Sequence, residues 1–301
     1  MNDLFECGHG AAAHSLFHHM GSDGIYARTA LFEQVIGGLS GFISRHREAD
    51  VEALRFPPVM SRQQIEKSGY LHSFPHFLGT VSCLHGAEAK IRSIVDQSKT
   101  SGDWTSALAA SDLVLTPAAC YPLYPLVAAR GPVRAEGYLF DVVCDCFRRE
   151  VSQDVDRLQS FRMREFVCVG SAKQVVDFRS RWIARSKDLA QALGLPHRIE
   201  QASDAFFGRA GKLMAVNQIE QSLKFEWLIP VRSETSPTAC MSFNYHQDHF
   251  GTTWNLRRED GEVAHTGCVA FGLDRLALAL FATHGLDLGR WPRLARENLA
   301  I

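Results

Sequence analysis

Two strand-length runs rich in Val, Phe and Cys, residues 138–149 and 161–170, are separated by one short polar stretch, residues 151–160. That arrangement predicts an antiparallel hairpin. Its turn end is heavily charged. The first run closes with Asp145-Cys146-Phe147-Arg148-Arg149-Glu150, and the chain returns through Arg157, Phe161 and Glu165. Charge at a turn is ordinary. Repeated Arg and Glu on half-buried strands must be paired or must face a ligand. A nucleoside triphosphate with its magnesium is the natural ligand, and a charged hairpin on a solvated edge is the plain alternative. Two registers compete, Arg157-xxx-Phe161 and Arg162-xxx-Phe166. Strand side chains alternate faces, so Phe161 and Glu165 share one side and Phe166 lies on the other. Only the first register puts the aromatic and the acid beside one ligand. Arg148 is then expected at the α-phosphate, Glu150 at the adenine end and Phe161 stacked on the base.

The remaining periodicities predict helices over residues 28–48, 86–98, 172–193 and 272–283, with another beginning near Tyr121 or Pro122. Pro57-Pro58 forbids a helix in the extended stretch 51–60. Further strands are expected at residues 113–115, 223–230, 239–245 and 267–271. Long antiparallel strands flanked by helices make an α+β protein rather than a doubly wound parallel sheet.

The formal net charge of -1 is poor electrostatics for a partner that is a long polyanion. No apolar run reaches the roughly 20 residues that cross a bilayer. The first ten residues lack a secretory leader pattern, so a cytoplasmic protein is expected. Eight cysteines are too few for a disulfide scaffold. Cys144 and Cys146, spaced i, i+2, read as core because no second Cys or His pair lies nearby at zinc spacing. Cys120, Glu165 and Cys268 are scattered, and each Cys taken singly reads as core. In Cys268-Val-Ala-Phe-Gly-Leu-Asp-Arg275, a strand runs into a helix whose first turn holds Arg275, where a cation is unfavourable. A phosphate would compensate it, as would Asp274 or another surface acid.

Taken together, Pro57-Pro58 after a long helix, Phe147-Arg148-x-Glu150 with Arg157-xxx-Phe161, and Gly272-x-x-Arg275 resemble motifs 1, 2 and 3 of class II aminoacyl-tRNA synthetases. The likeness is to the seryl-tRNA synthetase catalytic core and covers residues 25–285. The segment 118–123 resembles the Thr-x-Glu amino-acid loop, here changed to Ala118-x-Cys120. In the zinc-dependent, archaeal type of seryl enzyme, a Cys, a Glu and a second Cys hold zinc, and Cys120, Glu165 and Cys268 match them one by one. Three ligands with a free position suit a site whose metal takes a substrate amine. The chain shows no heptad arm and a short loop between the strands of motif 2. It therefore resembles the amino acid:carrier-protein ligases.

That resemblance implies a single class II catalytic domain over residues 1–301, with a helical insertion at about 171–215 and no tRNA-binding coiled coil. It implies one Zn2+ per subunit, Mg2+ with ATP, and activation of glycine or alanine as an aminoacyl-adenylate. The acceptor would be the phosphopantetheine thiol of an acyl-carrier-like protein, with a seryl-type synthetase paralogue charging tRNA as the alternative. Arg275 and Arg157 would meet the γ-phosphate, Glu234 resembles the magnesium-binding acid, and the motif 1 helix with Pro58 would form a homodimer. Arg179, Arg181, Arg185 and Lys187, beside Trp182, are the candidate carrier-docking residues. A solvated helix face is the plain reading of that run.

Overall fold

Residues 138–147 and 160–170 pair as an antiparallel hairpin, the second and third strands of a seven-stranded sheet. The structure, a computed structural model, describes residues 15–301, so the leader-free reading of the first ten residues lies outside them. The strands, in chain order, are β1 (Phe17–His19), β2 (Tyr26–Arg28), β3 (Glu52–Arg55), β4 (Val59–Ser61), β5 (Thr80–Leu84), β6 (Leu108–Leu115), β7 (Tyr138–Phe147), β8 (Ser160–Gly170), β9 (Ile199–Gln201), β10 (Lys224–Ile229), β11 (Thr238–Gln247) and β12 (His265–Gly272). The helices are α1 (Ala30–Arg45), α2 (Arg62–Lys67), α3 (Tyr70–Ser73), α4 (Glu88–Ser101), α5 (Leu123–Ala128), α6 (Ala172–Leu193), α7 (Gly208–Glu220), α8 (His249–Trp254), α9 (Leu273–His284) and α10 (Arg293–Leu299).

The large sheet runs β3-β7-β8-β12-β11-β10-β9, and only the β3–β7 pair is parallel. The α+β class with an antiparallel sheet is therefore correct. A separate β4-β6-β5 sheet uses residues 108–115, longer than the expected strand at 113–115. Its exposed positions include Ala109, Ala110 and Asp112, which blunt the alternation a strand would show.

Each face of the sheet has its own core. Even-numbered positions of β8 face the helices: Phe166 packs on Trp182 of α6 (4.9 Å between ring centroids) and Phe271 (5.3 Å). Against this face α1 buries Phe32, Val35, Ile36, Leu39, Phe42 and Ile43 at helical spacing. α6 begins at a capping box, Ser171 with Gln174, and ends at Gly194 in the left-handed conformation. Gly267 lets α6 lie close to β12: a Cβ there would come within 2.6 Å of Val175 Cγ1 and 2.7 Å of the Asn244 carbonyl oxygen.

A buried ion pair ties α1 to the same face. Arg164 on β8 donates twice to Asp141 on β7 (2.7 and 2.6 Å), and to the Ser40 carbonyl (2.7 Å) and Ser44 Oγ (2.9 Å) of α1. Both ionic side chains are almost fully buried.

The opposite face packs under α5 and α8. Here Tyr124, Phe140, Val142 and Phe250 surround Cys144 and Cys146, which are core as expected. The link between β7 and β8 is less polar in space than in sequence. Val155, Asp156, Leu158 and Gln159 are buried, and Asp156 is held by Thr238 Oγ1 (2.6 Å) and Arg232 Nε (2.8 Å).

Candidate active site

The register of the sheet lines up one row of side chains on the α5–α8 face. Glu165 of β8 pairs with Ala270 of β12, Ala270 with Ser242 of β11, and Ser242 with Glu226 of β10. The adjacent row runs Val167, Cys268, Asn244, Lys224. These rows floor a cavity of about 560 Å³. Its roof comes from residues 68–77 on one side and from residues 203–206 with α7 on the other. The two halves meet where Phe206 stacks on Phe74 (5.0 Å) and the Phe207 amide donates to the Ser73 carbonyl (2.9 Å).

At the floor, donor atoms of Cys120, Glu165 and Cys268 all lie within 4.8 Å of one another, and all three residues are buried. Cys120 arrives on the turn before α5, and its backbone N–H donates to Glu165 Oε1 (3.1 Å). Asn244 Nδ2 donates to Cys268 Sγ (3.3 Å), and His246 Nε2 lies 3.7 Å from the same sulfur. Burial pushes His246 down to about 4, so the ring is neutral near pH 7. The Cys120 thiol, then burial and the Glu165 carboxylate, push the Cys268 thiol well above its ordinary range. Two sulfurs and a carboxylate, buried and converging, suit zinc with a coordination position left over. Spacing in the sequence gave no sign of Asn244 or His246.

Away from the sulfurs the cavity wall carries guanidinium groups. Arg148 Nε donates to the Pro117 carbonyl (2.9 Å), and its guanidinium lies over the Phe161 ring at 5.4 Å. Glu150 also lines the cavity. Arg275 lines it too, donating to the carbonyls of Asp156 (2.9 Å) and Ala239 (3.1 Å). Arg275 is not paired with Asp274. That buried acid takes Arg28 Nε (3.0 Å), Arg162 Nη2 (3.0 Å) and the Arg162 backbone N–H (2.6 Å).

Not every expected residue is brought to the cavity. Phe161 faces it and Phe166 does not, but of Arg157 and Arg162 it is Arg162 that lines the cavity, whereas Arg157 is exposed outside it. Glu234 is exposed in the β10–β11 connection and is absent from the wall. The acid that this hairpin does present is Glu226, paired with Lys224 (2.9 Å), which also pairs with Asp204 (2.7 Å). None of the basic residues of α6 lines the cavity. Arg179 stacks on Phe225 (5.3 Å) and donates to the Ser222 carbonyl (2.7 Å), while Arg181 and Arg185 approach Glu48 at 3.5 and 3.2 Å. Lys187 is exposed.

Residues 104–284 match the family described as tRNA synthetase class II core domain (G, H, P, S and T). Amino acid–acyl-carrier-protein ligase 1 of Bradyrhizobium diazoefficiens is 60% identical over 289 residues, which cover 96% of this chain and 89% of that protein. Ligase 2 of the same organism is 59% identical over 96% of this chain. The chain belongs to the amino acid–acyl-carrier-protein ligases. As a member of that family it is a ligase with a class II core. The type-2 serine–tRNA ligase of Methanopyrus kandleri is more distant, 25% identical over 84% of this chain and 52% of that protein. A crystal structure of M. kandleri SerRS in complex with A. aeolicus tRNASec shares the ligase fold, with a TM-score of 0.81 at 20% identity, and this chain spans 58% of it. Among the described residues, no helix is long and apolar enough to cross a membrane.

Proposed function

We propose that this ligase activates glycine or alanine with ATP as an aminoacyl-adenylate and passes the aminoacyl group to the phosphopantetheine thiol of a carrier protein. The observation that carries the reading is the convergence of Cys120, Glu165 and Cys268 on the floor of a cavity whose walls present Arg148, Phe161 and Arg275. When bound by the three converging donors, zinc supplies a Lewis-acid position that selects a free amine.

In the first step a carboxylate oxygen attacks the α-phosphorus and pyrophosphate leaves. In the second, the carrier's sulfur attacks the acyl carbon, the C–S bond forms, the C–O bond to AMP breaks, and the thiol proton goes to solvent. Arg148, braced on Pro117, meets the charge at the α-phosphate, and Phe161 offers a flat face to the base. Arg275 is the cavity cation for the outer phosphates; Arg157 would reach them only by a movement of its loop. Mg2+ is proposed to enter with ATP, and Glu150 is the cavity acid outside both the ion pairs and the Cys-Glu-Cys cluster among the described residues. Glu234 does not face the cavity, and Asp156, Asp204, Glu226 and Asp274 are all ion-paired.

We propose that the carrier docks over α7, beside the α6 residues. Met214, Asn217 and Gln218 of that helix line the cavity, while Leu213 is 71% and Val216 53% exposed. Apolar side chains so exposed mark a contact surface. Arg179 links α6 to Ser222, two residues beyond α7, while Arg181 and Arg185 lie toward Glu48 and form the second candidate contact. The test is amino-acid-dependent ATP–pyrophosphate exchange, followed by transfer of labelled amino acid to phosphopantetheinylated carrier or to tRNA. Exchange with glycine or alanine and label on the carrier are expected, and label on tRNA alone would favour the synthetase reading. Leu213→Asp with Val216→Asp, and separately Arg181→Glu with Arg185→Glu, should each lower carrier loading at least ~10-fold and spare exchange. Unchanged loading removes that helix from the docking surface. The chain is also proposed to act as one catalytic domain and to pair as a homodimer through α1 and Pro58. Sedimentation showing only a 33.5 kDa species would remove the dimer.

A further inference from the structure

Tyr70 begins α3 in the roof of the cavity and is 4% exposed. Its ring is fixed edge-on against Tyr121 (5.3 Å) and tilted against Phe74 (5.2 Å). Its hydroxyl is buried and has no hydrogen-bond partner among the described residues. Seven buried side-chain polar atoms share that condition, and two of them belong to cavity residues, Tyr70 Oη and Arg162 Nε. Arg162 is otherwise fixed on Glu33 and Asp274. Tyr70 is thus, among the described residues, a cavity side chain whose only polar atom is buried and unpaired.

A buried hydroxyl left unpaired is costly, so a folded protein keeps one where a ligand supplies the partner. The neighbouring chemistry says which partner. Arg148 lines the same cavity, and only its Nε has a partner among the described residues. A phenol O–H and guanidinium N–H groups are both donors, so what satisfies both is an acceptor, and one carrying negative charge. Burial, the larger influence, pushes the Tyr70 phenol up to about 12 against the opposing pull of Arg148, so it keeps its proton and remains a donor.

We infer that the Tyr70 hydroxyl is a ligand-binding donor that shares with Arg148 a phosphoryl oxygen of the bound nucleotide. This rests on the nucleotide reading proposed above. It adds a residue that no sequence motif marks, and it explains why a tyrosine rather than a phenylalanine stands in an aromatic cluster.

The experiment compares the binding of AMP and of adenosine, by calorimetry, to the full chain and to Tyr70→Phe. Adenosine lacks the phosphoryl group and reports the base and ribose contacts alone. The expected result is that Tyr70→Phe weakens AMP binding by about 10- to 100-fold, the size of a lost hydrogen bond to a charged group, and leaves adenosine binding unchanged. The melting temperature should hold or rise, because phenylalanine removes an unpaired hydroxyl and keeps the ring. If Tyr70→Phe retains the full preference for AMP over adenosine, or weakens both equally, the inference is overturned and the nucleotide reading stands. If the unaltered chain shows no preference for AMP, the nucleotide reading itself is overturned, and this inference with it.

Discussion

Replacing Cys120 with alanine is expected to strip the metal from the protein and to silence amino-acid activation while leaving nucleotide binding in place. The three donors of the centre come from separate elements, the turn before α5, β8 and β12, so no remaining pair chelates through adjacent positions. Losing an outer-shell partner of a metal ligand costs roughly 10- to 100-fold in affinity or activity, and a direct ligand should cost at least the upper end of that range. Metal analysis of the purified protein should find about one zinc per chain before the substitution and close to none after it. Amino-acid-dependent pyrophosphate exchange should fall at least ~100-fold. ATP binding should survive, because Arg148, Phe161 and Arg275 make no contact with the sulfurs among the hydrogen bonds described. A variant that keeps its zinc and its exchange rate would show that the sulfurs are packing, as each looked when read alone.

The second large effect concerns stability. Asp141→Leu should destabilise the fold by about 3–5 kcal/mol, because it strands the buried Arg164 guanidinium without its counter-charge. In a chain of this size that lowers the melting temperature by about 5–8 °C. Adding Arg164→Met to Asp141→Leu should return most of the loss, since an apolar pair of similar volume in place of a buried ion pair is often close to neutral. Thermal melting of the two variants reads this directly. If the double variant is no more stable than the single one, Arg164 holds α1 through Ser40 and Ser44 rather than through Asp141.

What the sequence made legible follows from how local each signal was. α6 was placed at its observed bounds because its start and stop are written in adjacent residues, Ser171, Gln174 and Gly194. The β7–β8 hairpin and the split of Phe161 from Phe166 followed from alternation alone. The cysteines and glutamate of the site could not be assembled by spacing, because they meet through the β8–β12 register and the turn before α5; only a family resemblance joined them. Arg157 and Glu234 sit in loops, whose direction depends on tertiary contacts such as Arg232 with Asp154 and Asp156. The same contacts bury a stretch whose composition read as a solvated connection. Tyr70 gave no sign, because an unpaired hydroxyl is a property of its surroundings and not of its neighbours in the chain.

Strand β8 presents Arg164 to the helices and Glu165 to the cavity, one residue apart. A slip of one position against β7 would turn both over. The carboxylate would then press on α1, and the guanidinium would face two thiols. Such a chain would lose its ion pair and the carboxylate of the Cys-Glu-Cys cluster in the same event. Folding to the right alignment and assembling a competent centre are therefore one selection, and a preparation that is cooperatively folded should contain few molecules that are well formed yet inert.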